Sequence, residues 1–163
     1  MNWYLKAFRN KFNFSGRASR AEFWAFFLGN HLIGALLAIL ALASAFGLIW
    51  VTDSKNLGTY LLALFAGAGA YMLFWLLMFV PTLAVVIRRL HDSGRSGKWL
   101  LLYVPVVILG VLASLTHTME LRQLGSLIEV LVSITMLVLM LIPGAPAENP
   151  YGPPSAISGD NDQ

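Results

Sequence analysis

The sequence predicts an all-α membrane protein: a four-transmembrane-helix bundle with an N-terminal amphipathic interfacial helix. The main observation is where charge is missing. The stretches 23–51, 57–87, 99–116 and 124–142 carry almost no ionisable side chains. A helix that crosses roughly 30 Å of hydrocarbon needs about 20 mostly apolar residues. None of the four stretches alternates with period two, so helices rather than barrel strands satisfy their backbones. Composition agrees. The 163 residues are 58% hydrophobic and 12% charged, with mean hydropathy +0.71. Soluble domains carry about 25% charged residues. There is no cysteine, hence no disulfide framework.

Residues 1–14 form the interfacial element. Tyr4, Phe8 and Phe12 recur at i+4 spacing, with Lys6 and Arg9 on the other side. That pattern lies flat in a membrane interface, and Lys11 can snorkel to the headgroups. Residues 13–16 break the helix. Ser19-Arg20-Ala21-Glu22 then has capping-box spacing. Ser19 accepts from the amide of Glu22, and the Glu22 carboxylate reaches back to the amide of Ser19.

The bundle occupies 15–142. Ala43-Ser44-Ala45 resembles a signal-peptide cleavage site, but the apolar run continues to Val51, so an uncleaved first span is expected. Small residues recur four apart at Gly34/Ala38, Ala41/Ala45, Ala43/Gly47, Ala63/Gly67 and Ala66/Ala70. They allow close helix approach, either within one bundle or between copies in a homo-oligomer. Pro81 and Pro105 stand at similar depth; ordinary helix bending is the expectation, since prolines are common in membrane helices, and two kinks opening a shallow pocket are the alternative.

Charge distribution predicts orientation. Lys6, Arg9, Lys11, Arg17 and Arg20 precede the first span, and Arg88, Arg89, Arg95 and Lys98 separate the second from the third. The remaining connections hold only Lys55 and Arg122. Basic residues near span ends stay inside, so both termini are expected in the cytoplasm. Trp24 and Trp99 would mark the inner interface, with Trp50 and Tyr60 at the outer one. The tail, 143–163, is proline-rich and cytoplasmic on this reading, with Tyr151-Gly152-Pro153 folding back as a turn.

The densest polar segment is Arg88 to Lys98. Its glycine spacing is too short for a phosphate-binding P-loop, and no strand precedes it. One histidine and one carboxylate, His91 and Asp92, leave metal coordination unfilled, so no metal or cofactor is expected. Topology brings Arg17, Arg20 and Glu22 to the same face as Arg88, Arg89, His91, Asp92 and Arg95. These eight residues are the candidate ligand-binding set. Glu22 and Asp92 should pair with the arginines in a buried or half-buried network, because acids contribute little to orientation and the planar guanidinium suits carboxylate or phosphate.

Within the spans, His31 lies early in the first and Glu129 near the outer end of the fourth. An intramembrane carboxylate is a functional hypothesis by default. Glu129 is expected at the interface, close to Arg122.

Three segments together carry a resemblance: Phe14-Ser15-Gly16-Arg17-Ala18-Ser19-Arg20-Ala21-Glu22-Phe23-Trp24, then Arg88-Arg89-Leu90-His91-Asp92-Ser93-Gly94-Arg95-Ser96-Gly97, then Pro143-Gly144 through Asn149-Pro150-Tyr151-Gly152-Pro153. The pattern resembles the YhaH-like family of small bacterial inner-membrane proteins of unknown function. The resemblance implies four spans and a bacterial inner membrane, and supplies no reaction or cofactor. The expected function is a non-enzymatic membrane module whose cytoplasmic Arg/acid cluster binds an anionic lipid headgroup or another membrane protein. A small transporter or channel subunit using His31 and Glu129 is the alternative. No nucleic-acid partner is expected.

Overall fold

The computed structural model describes residues 2–51 and 57–155. Helix α1 (Trp3–Arg9) opens on Asn2, whose side chain accepts the Leu5 amide at 3.3 Å. It is shorter than the 1–14 segment, because Asn10, at φ −92° and ψ 26°, leaves the helical conformation and its side-chain Nδ2 caps the Lys6 carbonyl at 3.1 Å. Four longer helices follow: α2 (Arg20–Val51), α3 (Leu57–Asp92), α4 (Tyr103–Thr116) and α5 (Met119–Leu141). A 3₁₀ segment, Gly97–Leu102, leads into α4. Four stretches are long and apolar enough to cross a membrane: Arg20–Ser44, Leu61–Asp92, Gly97–Thr116 and Met119–Leu141. Lys55 and the side chains of Ala45, Trp50 and Tyr60 lie outside the described residues.

The helices form two antiparallel hairpins. Along α2 and α3, Glu22 meets Arg88, Gly34 meets Trp75 and Ala41 meets Gly67. A methyl group added at Gly67 would come within 2.5 Å of the Ala41 Cβ, so the two backbones touch where small residues allow it. In the second hairpin, Gly125 of α5 packs on Leu109 of α4. His117 takes a left-handed conformation, φ 53°, to close that turn. The hairpins join at the end that carries the basic residues. There Phe23, Phe26, Val85 and Leu90 form one cluster with Val132, Met136, Leu139 and Met140. Away from that end, Leu32, Leu62, Phe65 and Leu115 are exposed, as lipid-facing positions are. Helix α1 rests on this base: Ala7 is buried, and Tyr4 stacks on Phe26 with ring centroids 5.3 Å apart.

Pro81 sits inside α3, and Pro105 is the third residue of α4, directly after the 3₁₀ segment. Helix α5 begins at Met119, so Glu129 lies about 15 Å along it at 1.5 Å per residue.

Helix contact at Gly67 should decide the packing of the first hairpin. Gly67→Ala should cost about 1–3 kcal/mol by overpacking. Gly69→Ala, which points into open space, should leave stability unchanged or raised. Thermal unfolding of both variants in the same detergent measures the difference.

Candidate functional site

The basic end of the bundle is built around one carboxylate. Asp92 is the last residue of α3, where the helix dipole disfavours an anion. Two arginines compensate. Arg17 Nε donates to Asp92 Oδ1 at 2.9 Å, and Arg89 Nη1 donates to Oδ2 at 2.5 Å. Both guanidinium groups continue outward to backbone carbonyls. Arg89 Nε donates to Met140 O at 3.2 Å, and Nη2 donates to Ile142 O. These are acceptors at the C-terminus of α5, which the helix itself cannot satisfy. Arg17 donates to Ala145, Ala147 and Gly152 of the tail and to the backbone of Asp92. Arg89 is fully buried, and Arg17 nearly so.

The tail is held by several further contacts. The Ala145 amide donates to Asp92 O at 2.8 Å. Asn149 Nδ2 donates to His91 O at 2.9 Å, and the Tyr151 ring stacks on His91 at 3.8 Å with planes 3° apart. Residues 149–152 form a tight turn, with Gly152 at φ 118°, overlapping the turn expected at Tyr151-Gly152-Pro153. His91 Nδ1 also contacts the Gly16 carbonyl at 3.2 Å, and the Ala18 amide donates to Arg88 O at 3.0 Å. The loop before α2, the end of α3 and the tail are thereby tied together.

The second ion pair is Arg88 Nη1 to Glu22 Oε1, at 2.8 Å. Only half of the capping box forms. Ser19 Oγ accepts the Glu22 amide at 3.2 Å, but the Glu22 carboxylate turns to Arg88, a charged donor that outcompetes a backbone amide. Arg88 is 3% exposed, yet its Nε and Nη2 have no hydrogen-bond partner. Tyr4 donates to Asn30 Oδ1 at 2.9 Å, and burial raises the phenol above its ordinary pKa, which keeps it a donor.

The structure thus brings together six of the eight candidate residues: Arg17, Glu22, Arg88, Arg89, His91 and Asp92. Arg20 is exposed and joins no ion pair among the described residues, and the Arg95 side chain donates to the nearby Ser93 carbonyl at 3.3 Å. Two cavities flank the cluster. One, of about 370 Å³, lies among Arg17, Ser19, Arg20, Asp92 and the tail. The other, of about 260 Å³, is lined by Lys6, Asn10, Asn13, Ser15, Gly16, Arg17, Arg88, Tyr151 and Pro153. Sequence reasoning missed Lys6, Asn13 and Ser15 as neighbours of Arg88, and missed the tail carbonyls altogether.

His31 and Glu129 stand apart from this site and from each other. His31 Nδ1 donates to Phe27 O at 2.8 Å, and its ring meets Trp75 edge-on. Glu129 lines a separate cavity of about 200 Å³ between α4 and α5, with Arg122 and Ser126. No hydrogen bond, ion pair or ring contact joins His31 to Glu129 among the described residues, so nothing here favours the transporter alternative.

Gly144 packs directly on the Asp92 carboxylate, leaving no room for a side chain. Gly144→Ala should therefore displace the tail. Limited proteolysis should cut within 144–155 faster than in the wild type, while Gly47→Ala, whose Cβ meets open space, should change nothing.

The chain matches the family described as "Protein of unknown function (DUF805)" over residues 11–153. It is 38% identical over 108 residues to the inner membrane protein YhaI of Escherichia coli K12, covering 66% of this chain and 75% of that protein. It is 36% identical over 106 residues to the inner membrane protein YhaH of the same strain, covering 64% and 74%. It is 33% identical over 144 residues to the uncharacterized protein YiiR, covering 86% and 84%. No solved structure matches. Four apolar helices in a chain so related make this a multi-pass bacterial inner-membrane protein, and it belongs to the DUF805 family, whose function is unknown.

Proposed function

We propose that this protein is a non-enzymatic membrane module whose basic end faces the cytoplasm and holds an anionic lipid headgroup. The orientation is supported by nine lysines and arginines at that end: Lys6, Arg9, Lys11, Arg17 and Arg20 up to the start of α2, and Arg88, Arg89, Arg95 and Lys98 from the end of α3 onward. An even number of spans returns the tail to the same side. Helix α1 rests on that end, and its Lys6 and Arg9, with Lys11 just beyond it, support a place at headgroup depth. The non-enzymatic reading is supported by how the polar groups are used. Arg17, Arg89 and Asp92 are consumed by bonds that hold helix ends and the tail, and His91 is stacked under Tyr151.

One observation carries the headgroup reading. Arg88 is buried with only one of its three nitrogens satisfied. Unpaired buried donors are costly, and a charged one more so. An acceptor from outside the chain meets that need, and on this face of a membrane the abundant acceptors are lipid phosphates.

Native mass spectrometry of protein released from nanodiscs that mix anionic and zwitterionic lipid tests this. Wild type should retain anionic lipid. Arg88→Ala should lose it about tenfold or more, the worth of one charge-assisted hydrogen bond. Arg95→Ala should keep it. Bare wild type, or equal retention in all three, contradicts the proposal. The native chain has no cysteine. A single Lys98→Cys should accordingly be labelled in spheroplasts only after the membrane is permeabilised, whereas Met119→Cys should be labelled from outside.

A further inference from the structure

We propose that the 260 Å³ cavity between α1, the loop before α2 and the end of α3 is a phosphomonoester site. The proposal rests on the headgroup reading above and names the chemistry of the group that it takes. The cavity's wall is made of donors. Arg88 lines it, and two nitrogens of its guanidinium, Nε and Nη2, are buried and unpartnered. These form one edge of the guanidinium, the edge that grips two oxygens of a carboxylate or phosphate in parallel. Glu22 occupies the remaining nitrogen and so fixes the orientation of the group.

Around Arg88 stand three more donors. Lys6, from α1, lines the same cavity, and its ammonium lies 5.9 Å from the centroid of the Trp3 ring. Asn13 is oriented by its own turn: its Oδ1 accepts the Ser15 amide at 3.0 Å, which leaves Nδ2 to donate. Ser15 adds a hydroxyl. None of the residues lining the cavity is acidic. Arg17 also lines it, but its nitrogens are spent on Asp92 and the tail. The wall therefore offers two cationic groups and two neutral donors, and asks for an acceptor with more than two oxygens. A carboxylate has two. A phosphodiester has two unesterified oxygens and one charge. A phosphomonoester has three oxygens and up to two charges, which matches the Arg88 edge plus Lys6, Asn13 and Ser15. Such a group arrives either on a lipid, as in phosphatidate, or on a soluble phosphomonoester.

The experiment uses the full chain in nanodiscs containing equal amounts of phosphatidate and phosphatidylglycerol. Retained lipids are identified by native mass spectrometry. A parallel arm uses purely zwitterionic discs titrated with glycerol 3-phosphate. Wild type should retain phosphatidate over phosphatidylglycerol. Arg88→Gln and Lys6→Gln should each abolish that preference. Arg88→Lys, which keeps charge without the fork, should restore it only in part. Asn13→Ala, at an exposed position, should weaken it in a protein whose thermal unfolding matches wild type. Equal retention of both lipids, lost on Arg88→Gln, overturns the phosphomonoester proposal and leaves the headgroup reading standing. Saturable binding of glycerol 3-phosphate, with no lipid retained, supports the site and overturns the headgroup reading. No binding in either arm overturns both.

Discussion

The rest of the structure depends on a carboxylate shared between two arginines at the end of a helix. Asp92 sits where the α3 dipole would expel a negative charge, and Arg17 and Arg89 hold it there. Because both arginines also reach past Asp92 to carbonyls of α5 and the tail, the same group fixes three chain segments at once. A buried pair of this kind is weak evidence for net stability, since desolvation offsets much of the attraction. Its value here is positional. Removing the acid would leave two buried cations without their counter-ion, at a cost of about 3–5 kcal/mol for a broken buried pair.

That lock suits a protein whose packing is concentrated at one end. The described buried residues of α3 begin at Pro81, and those of α2 extend no further than Gly34. Beyond them the helices touch chiefly within hairpins, where Ala41 and Gly67 allow backbone contact. With lipid outside, apolar side chains gain nothing by choosing a neighbouring helix over an acyl chain. Polar bonds at the basic end therefore do what a hydrophobic core does in water. Arg88 differs from Arg17 and Arg89 in that network: one nitrogen pairs with Glu22, and Nε and Nη2 have no partner.

Much of this was legible in the sequence. Charge-free runs located four spans, because the cost of charge in hydrocarbon leaves a gap that composition records directly. The ends were less legible. Helix α3 continues through Arg88, Arg89 and Asp92: Arg89 pairs with Asp92 one turn on, while Glu22 and Arg17, distant in sequence, meet Arg88 and Asp92, which hydropathy cannot register. The pairing of Glu22 and Asp92 with arginines could be anticipated from acids placed among cations. The tail's part could not: its acceptors are carbonyls of Ala145, Ala147 and Gly152, and a carbonyl leaves no mark on residue identity. Only Gly144, Asn149 and Gly152 signal it, through close approach and turn geometry.

The most direct test of the shared carboxylate is amide hydrogen exchange across residues 144–152, compared among wild type, Asp92→Asn and Arg88→Gln. If Asp92 is the lock, Asp92→Asn releases the tail and its amides exchange far faster, while Arg88→Gln leaves their protection at the wild-type level. Unchanged protection in Asp92→Asn would contradict the account and leave the tail held by its own turn and the stacking of Tyr151 on His91.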